Sequence, residues 1–373
     1  MYASNVLGIV YSNVYDEYLS ELTSVRTMGS VPFAGRYRLI DFVLSNMVNS
    51  GIGKVGVSTK ANYQSLMDHL GSGKPWDLSR KRDGLTFLPP FNTAYSNEGY
   101  IGRLAALKGI RQYISKSGKD YVLLADCNVV CNLDYTEIID GHIASGADVT
   151  IAYKRGVAPK LHNTMSFEID GDRITAVSVG DKVDGACDYS LNVIVMSRAL
   201  LLQLINEAAT MNYKSFERDI IANKVKSLKL RGHKIDTYAK VIDSLQSYYD
   251  INMQLLSGEY RELFDPEKPV YTKVRDDMPA IYGVCAKASN SLVSDGCIIK
   301  GTVENCVLSR GVYVAEGAVI RNSIIMQDCY ISAGAKVNCA ILDKNVTLKP
   351  GRELSGAESY PIYVGKNITV RCF

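Results

Sequence analysis

Toward the C-terminal end of the chain an asparagine-led triplet returns at the spacing of a solenoid. Asn290-Ser291-Leu292, Asn305-Cys306-Val307, Asn322-Ser323-Ile324 and Asn338-Cys339-Ala340 follow one another at intervals of 15, 17 and 16 residues. Gly311-Val312, Gly317-Ala318-Val319, Gly334-Ala335-Lys336-Val337 and Asn345-Val346-Thr347-Leu348 fall between them. Short strands with a small residue at each corner, three to a turn of roughly 18 residues, describe a left-handed parallel β-helix of hexapeptide repeats. Neither a helical bundle nor a sandwich has that period. A coil of this kind serves first as a scaffold and an oligomer contact.

The rest of the chain has a different grammar. Val6-Leu7-Gly8-Ile9-Val10, Lys54-Val55-Gly56-Val57-Ser58, Tyr121-Val122-Leu123-Leu124-Ala125, Val149–Tyr153 and Leu191–Met196 are short apolar runs of buried-strand length. Ile40, Val43, Leu44, Met47 and Val48 recur on one helix face, with Gly51 as a stop. Tyr63 to Leu70, then Leu104, Leu107, Ile110, Arg111 and Ile114, and finally Ser244 to Leu256 also read as helices. Phe167 to Ile174 reads as a hairpin, and Ser72 to Asn97 as a long loop anchored by Trp76. Strand and helix in alternation predict a mostly parallel, Rossmann-like α/β sheet with helices on both faces. The expected division is an α/β domain over 1–258, a proline-punctuated linker over 259–284 and the β-helix over 285–373.

Composition excludes several classes. Net charge is +3, with no lysine/arginine block, so nucleic acid is not an expected partner. No apolar run approaches the ~20 residues of a membrane span. The nine cysteines are scattered, which suits reduced thiols in the cytoplasm better than a disulfide or metal framework. His69, His142, His162 and His233 never pair at ligand spacing and read as surface or capping residues. Hexapeptide acyltransferases need a histidine in the coil, and none follows His233.

Residues 31–52, VPFAGRYRLIDFVLSNMVNSGI, resemble the PFGGKYRIIDFPLSN stretch of the glucose-1-phosphate adenylyltransferases (ADP-glucose pyrophosphorylases). GSGKPWDL (Gly71–Leu78), FLPPF (Phe87–Phe91) and IDSLQSYYDINMQLL (Ile242–Leu256) extend the resemblance over nearly the whole chain. It implies a nucleotidyltransferase fold. The family's reaction, ATP plus glucose 1-phosphate to ADP-glucose plus pyrophosphate, needs amides and cations on the triphosphate, carboxylates on Mg²⁺, and a cation on the attacking phosphate.

The departures from the family pattern fall on those parts. The glycines of its LAGGxGxRL loop become Asn13, Val14 and Asp16, its arginine becomes Tyr18, and the lysine of AKP becomes Met28. The first metal aspartate falls on Asn128 and the second on Tyr238. Asp126 and Asp236, each two residues away, are the substitute Mg²⁺ ligands if the chain is active. The sugar-phosphate lysine falls on Lys182, beside an equally plain reading of Lys182 as a solvated residue, and a glycine at the sugar becomes Asn192. Arg26, Arg36 and Arg38 match family positions that face the β-helix and bind allosteric anions. Pairing of these arginines with Asp41 or another carboxylate is the other reading.

The resemblance is thus to the GlgD-type subunit of the family. It implies a regulatory, catalytically silent role in glycogen biosynthesis, with no firmly bound cofactor. The implied partner is a catalytic homologue in a heterotetramer, with homo-oligomers when alone, and the implied ligand is a phosphorylated metabolite or sulfate-like anion. Two rival readings stand beside it: an active adenylyltransferase that holds Mg²⁺ through Asp126 and Asp236, and a stand-alone sugar-phosphate or anion sensor.

Overall fold

The computed structural model describes residues 3–89, 102–180, 185–258 and 260–371. Strand β1 (Val6–Tyr11) is buried along its whole length. It lies between β2 (Lys54–Ser58) and β4 (Tyr121–Asp126) and pairs parallel with both. Being covered on two faces is what makes its sequence a continuous apolar run. Met47 of helix α1 (Leu39–Asn49) packs so closely beneath it that a Cβ at Gly8 would lie 2.6 Å from the Met47 sulfur.

The other strands of this sheet are β3 (Gly84–Leu88), β5 (Val149–Val157), β6 (Met165–Asp170), β7 (Arg173–Val179), β8 (Ala186–Ser197) and β9 (Leu230–Lys234), and the helices between them include α2 (Gln64–Leu70) and α4 (Tyr135–Ser145). The sheet order is β3-β2-β1-β4-β8-β5-β9-β7-β6. The half that carries the site, β3 to β4, is wholly parallel, whereas β8 enters antiparallel to both β4 and β5.

Three sequence expectations need correction. The loop-rich stretch contains β3, an edge strand paired parallel to β2; its flanking glycine and prolines masked a partly buried run. The helix expected through Leu104–Ile114 is two, α3 (Gly102–Gly109) and Arg111–Ser115, separated at Ile110. His69 and His142 are buried rather than at the surface. His69 Nε2 lies 2.6 Å from Asp41 and His142 Nδ1 lies 2.9 Å from Thr150 Oγ1. Trp76 is buried against His69, as an anchor for its loop would be.

The β-helix pairing begins at Ile281–Tyr282 and runs up three faces of parallel strands. Its asparagine corners explain the repeat. Asn290, Asn305 and Asn322 sit at φ values of 42°, 52° and 46°, a region that asparagine tolerates better than most residues. Their side chains form a ladder in which each Nδ2 donates to the next Oδ1, from Asn290 through Asn305 and Asn322 to Asn338, at 2.8, 3.3 and 3.2 Å.

Helix α6 (Leu245–Gln254) lies between the two architectures. Tyr248 donates to Pro32 O at 2.6 Å and Tyr249 to Asn322 O at 2.6 Å. Val307, Ile324 and Ile341, one outward column of the β-helix, join Phe33, Phe42, Tyr248 and Leu255 in a single buried cluster.

Candidate functional site

The loop after β1 closes on itself through its own side chains. Asn13 Oδ1 accepts the Lys60 amide at 2.9 Å, and Asn13 Nδ2 donates to Asp16 Oδ2 at 2.8 Å. Asp16 Oδ1 accepts the Met28 amide at 2.8 Å. Asn13, Val14, Asp16 and Tyr18 all keep negative φ, so the chain makes none of the left-handed turns that a glycine loop would allow. It coils instead into a short 3₁₀ turn at Asp16–Leu19. Burial pushes the Asp16 carboxyl up to about 6, against its bonds from Asn13 and Met28. Met28 is itself buried in the interdomain cluster. The Tyr18 hydroxyl lies 2.5 Å from His162 Nδ1, with the two rings stacked, and Glu17 approaches the same nitrogen at 3.4 Å. A cavity of about 280 Å³ remains, bounded by Ser12, Asn13, Asp16, Lys60 and His162. Two carboxylates thus face the space where a triphosphate would lie, and two of the neighbouring amides already have internal acceptors.

At the end of β4, Asn128 is fully buried. Its Nδ2 donates to Ile242 O at 3.3 Å, and its carbonyl accepts the Ile242 amide at 2.8 Å. Asp126 is held by Arg103 of α3, 2.6 Å away, with both side chains at 0% exposure. Arg103 Nε is also 3.2 Å from Glu217, in a π-helical turn at Phe216–Ala222. Burial pushes the Asp126 carboxyl up to about 6, against the pull of Arg103. Burial opposes the Arg103 charge as well, but Asp126 and Glu217 outweigh it and hold the guanidinium above its ordinary pKa. Tyr238 is buried and its amide donates to Glu262 at 2.8 Å. The Asp236 side chain is 76% exposed and pairs with Lys234 at 2.7 Å.

These residues do not fit a divalent cation. The buried carboxylate is already neutralised, its neighbour is an amide, and the other aspartate is committed at the surface. Among the described residues no group of three or more His, Cys, Asp or Glu is placed to hold a metal ion.

On the sugar side, Lys182 lies outside the described residues. Asn192 sits at φ 57° in an irregular step of β8, and its Nδ2 donates to the Tyr15 hydroxyl at 2.9 Å. An asparagine side chain therefore fills the position where a glycine would leave room for a ligand.

The three arginines separate. Arg26 is 2% exposed and reaches across to Asp343 of the β-helix at 2.8 Å. Arg38 donates to Ser65 O at 2.7 Å and Ser65 Oγ at 3.0 Å. Arg36 is exposed beside the Tyr37 ring. Lys344, absent from the sequence reading, completes a cationic cluster with Arg26 and Arg38. Burial first, then those two arginines, lower its pKa to about 7. Burial also lowers Arg38, to about 10.

Sequence reasoning missed Arg103, Glu217, Asp343 and Lys344. None lies in a motif that marks it, and only the fold brings each to its partners.

Known proteins share both architectures. Residues 17–175 match the nucleotidyl transferase family, and 280–358 match the GlmU-like, C-terminal hexapeptide family. The chain is 36% identical to glycogen biosynthesis protein GlgD of Bacillus subtilis (strain 168), over 99% of this chain and 98% of that one. It is 39% identical to GlgD of Geobacillus stearothermophilus over 85% and 83%, respectively. Glucose-1-phosphate adenylyltransferase of Fervidobacterium nodosum is 31% identical over 93% and 85%. No helix among the described residues is long and apolar enough to cross a membrane. The α/β sheet with its closed loop, the left-handed hexapeptide β-helix and these near full-length relatives agree: the chain belongs to the glucose-1-phosphate adenylyltransferase family and resembles its GlgD members along its whole length.

Proposed function

We propose that this chain is a regulatory, catalytically silent subunit of glucose-1-phosphate adenylyltransferase that acts in bacterial glycogen biosynthesis, in the cytoplasm, by associating with a catalytic homologue. The observation that carries this reading is the state of Asp126. It is the one carboxylate left at the end of β4, and it is fully buried and paired with Arg103. The filled loop and Asn192 support the same reading. Adenylyl transfer works by positioning charge around phosphates, so a pocket in which Asp16 and Glu17 stand beside a single lysine, Lys60, and the Lys60 and Met28 amides are already bonded internally holds a triphosphate poorly.

Pyrophosphate release from ATP and glucose 1-phosphate tests it. The isolated chain is expected to show no turnover above background. Mixed at equal ratio with a catalytic homologue, it is expected to raise that enzyme's rate or apparent substrate affinity several-fold. Turnover by the chain alone, or no effect on the homologue, refutes the proposal.

The cluster of Arg26, Arg38 and Lys344 favours an anion, phosphorylated or sulfate-like, as the regulatory ligand. Asp343 pairs with Arg26, and Asp41 and Asp68 act on Arg38, so Lys344 is the charge that an anion would meet. Lys344 is protonated below about 7 and loses its charge as pH rises through that value. Sulfate affinity is therefore expected to be greatest below neutrality and to fall by roughly tenfold above it. Calorimetric titration with sulfate at several pH values would show this, and Lys344→Ala is expected to flatten the pH profile.

A further inference from the structure

Three charged side chains meet beneath the cavity, from three separate elements. Arg103 comes from the first turn of α3, Asp126 from the end of β4, and Glu217 from the π-helical turn that follows α5 (Arg198–Thr210). Their side-chain exposures are 0%, 0% and 3%. The guanidinium lies over the Tyr11 ring, 5.1 Å from its centroid, and Nη1, Nε, Asp126 Oδ1 and Glu217 Oε1 are all buried without a hydrogen-bond partner among the described residues.

A buried charge cluster of this kind is costly to assemble, and apolar residues of similar size would fill the space at no electrostatic cost. Carboxylates converging on one point, here one from a strand end and one from a π-helical turn, are the kind of oxygen donors that a hard divalent cation takes. Here a tethered monovalent cation stands between them. It donates to Asp126 at 2.6 Å and lies in ion-pair range of Glu217, with Nε 3.2 Å from its carboxylate.

We infer that Arg103 is a built-in cation standing between Asp126 and Glu217 where a divalent ion would bind, so that the arginine, and not only the loss of aspartates at Asn128 and Tyr238, keeps this pocket blind to metal. The inference rests on reading the pocket as non-catalytic and adds its cause: the site is occupied from within. Removing the guanidinium leaves two buried carboxylates without a counter-ion, and a divalent cation is then the group that restores the balance.

The test uses the full chain with Mn²⁺ alone as the probe, followed by the electron paramagnetic resonance of the free ion and by thermal melting with and without Mn²⁺. The wild-type protein is expected to leave the Mn²⁺ signal unchanged and to melt at the same temperature with or without the ion. Arg103→Ser is expected to melt roughly 10 °C lower, to take up one Mn²⁺ per chain, and to regain at least half of the lost melting temperature when Mn²⁺ is present. Adding Asp126→Asn to that variant is expected to abolish the uptake, and Arg103→Lys is expected to remain metal-blind.

Equal Mn²⁺ binding by wild type and Arg103→Ser overturns the inference, as does a folded Arg103→Ser that ignores the ion. If Arg103→Ser is insoluble, refolding with and without Mn²⁺ decides. Soluble protein only with the ion supports the inference, and none in either case overturns it. Pyrophosphate release by the wild-type chain would defeat the non-catalytic reading without moving these metal readouts, so the two failures are distinguishable.

Discussion

Arg26→Ala is expected to lower the stability of the chain by about 3–5 kcal/mol, the cost of removing one partner from a buried ion pair. Arg26 and Asp343 are 2% and 0% exposed and meet at 2.8 Å. The alanine variant leaves Asp343 in a dry seam, where the Tyr363 hydroxyl at 3.0 Å is its remaining side-chain donor. Asp343→Asn keeps the shape and removes the charge, so Arg26 becomes the stranded ion and the loss is expected to be of the same order. The double variant Arg26→Ala, Asp343→Asn strands neither charge and is expected to lose clearly less than the sum of the two single losses. Urea unfolding of the four proteins measures the cycle. Losses that simply add would show that the pair is not coupled. Arg26→Ala also separates the two readings of this arginine, because its main contribution is then to joining the domains and a sulfate titration would change much less than the unfolding curve.

Asp41→Ala is the second large effect, expected at about 3 kcal/mol. Asp41 is fully buried near the start of α1. Its Oδ2 accepts the Arg38 amide at 2.9 Å and closes the capping box of that helix. Its Oδ1 lies 2.6 Å from His69 Nε2. Alanine leaves both donors without an acceptor, beneath the packed Trp76 loop. Asp41→Asn retains an acceptor and is expected to lose less.

The pH dependence has a definite sign. Burial lowers the His69 pKa below 6.5, and Asp41 opposes that shift. Stability linked to His69 is therefore complete above about 6.5 and is lost as pH falls below it, because the unfolded chain takes up the proton first. Without Asp41 the opposition disappears, so the variant is expected to lose more stability than wild type between neutral and mildly acid pH. Thermal melts across that range measure it, and parallel curves would refute the His69 coupling.

The elements legible in the sequence are those whose signal is local. The β1 run is apolar because it is covered on both faces, and α1 shows its buried face at helical spacing. Three of the four asparagines repeat because each corner needs the same left-handed backbone, which Cys339 takes at the fourth, and all four side chains bond in one ladder. Strand β3 was hidden because an edge strand is only partly buried, so its sequence carries no strong alternation and its prolines and glycine dominate. The losses at Asn13, Val14, Asp16, Tyr18, Asn128 and Tyr238 were visible only by resemblance. What took their place was not, because Arg103 meets Glu217 across more than a hundred residues of chain. Lys344 likewise reveals itself only when the β-helix is laid against Arg38. Local pattern reports which groups are missing from a site and is silent on long-range replacements.

The common core at α6 has a mechanical consequence. Two domains joined by a wet, polar contact rock against each other by default. Here Tyr248, Leu255, Val307, Ile324 and Ile341 share one dry cluster, and Tyr249 is bonded to the Asn322 corner. At this contact a push meets packed apolar side chains. A neighbour that leans on the β-helix turns the pocket end of the chain with it, so this protein transmits displacement as a stiff lever rather than as a closing jaw.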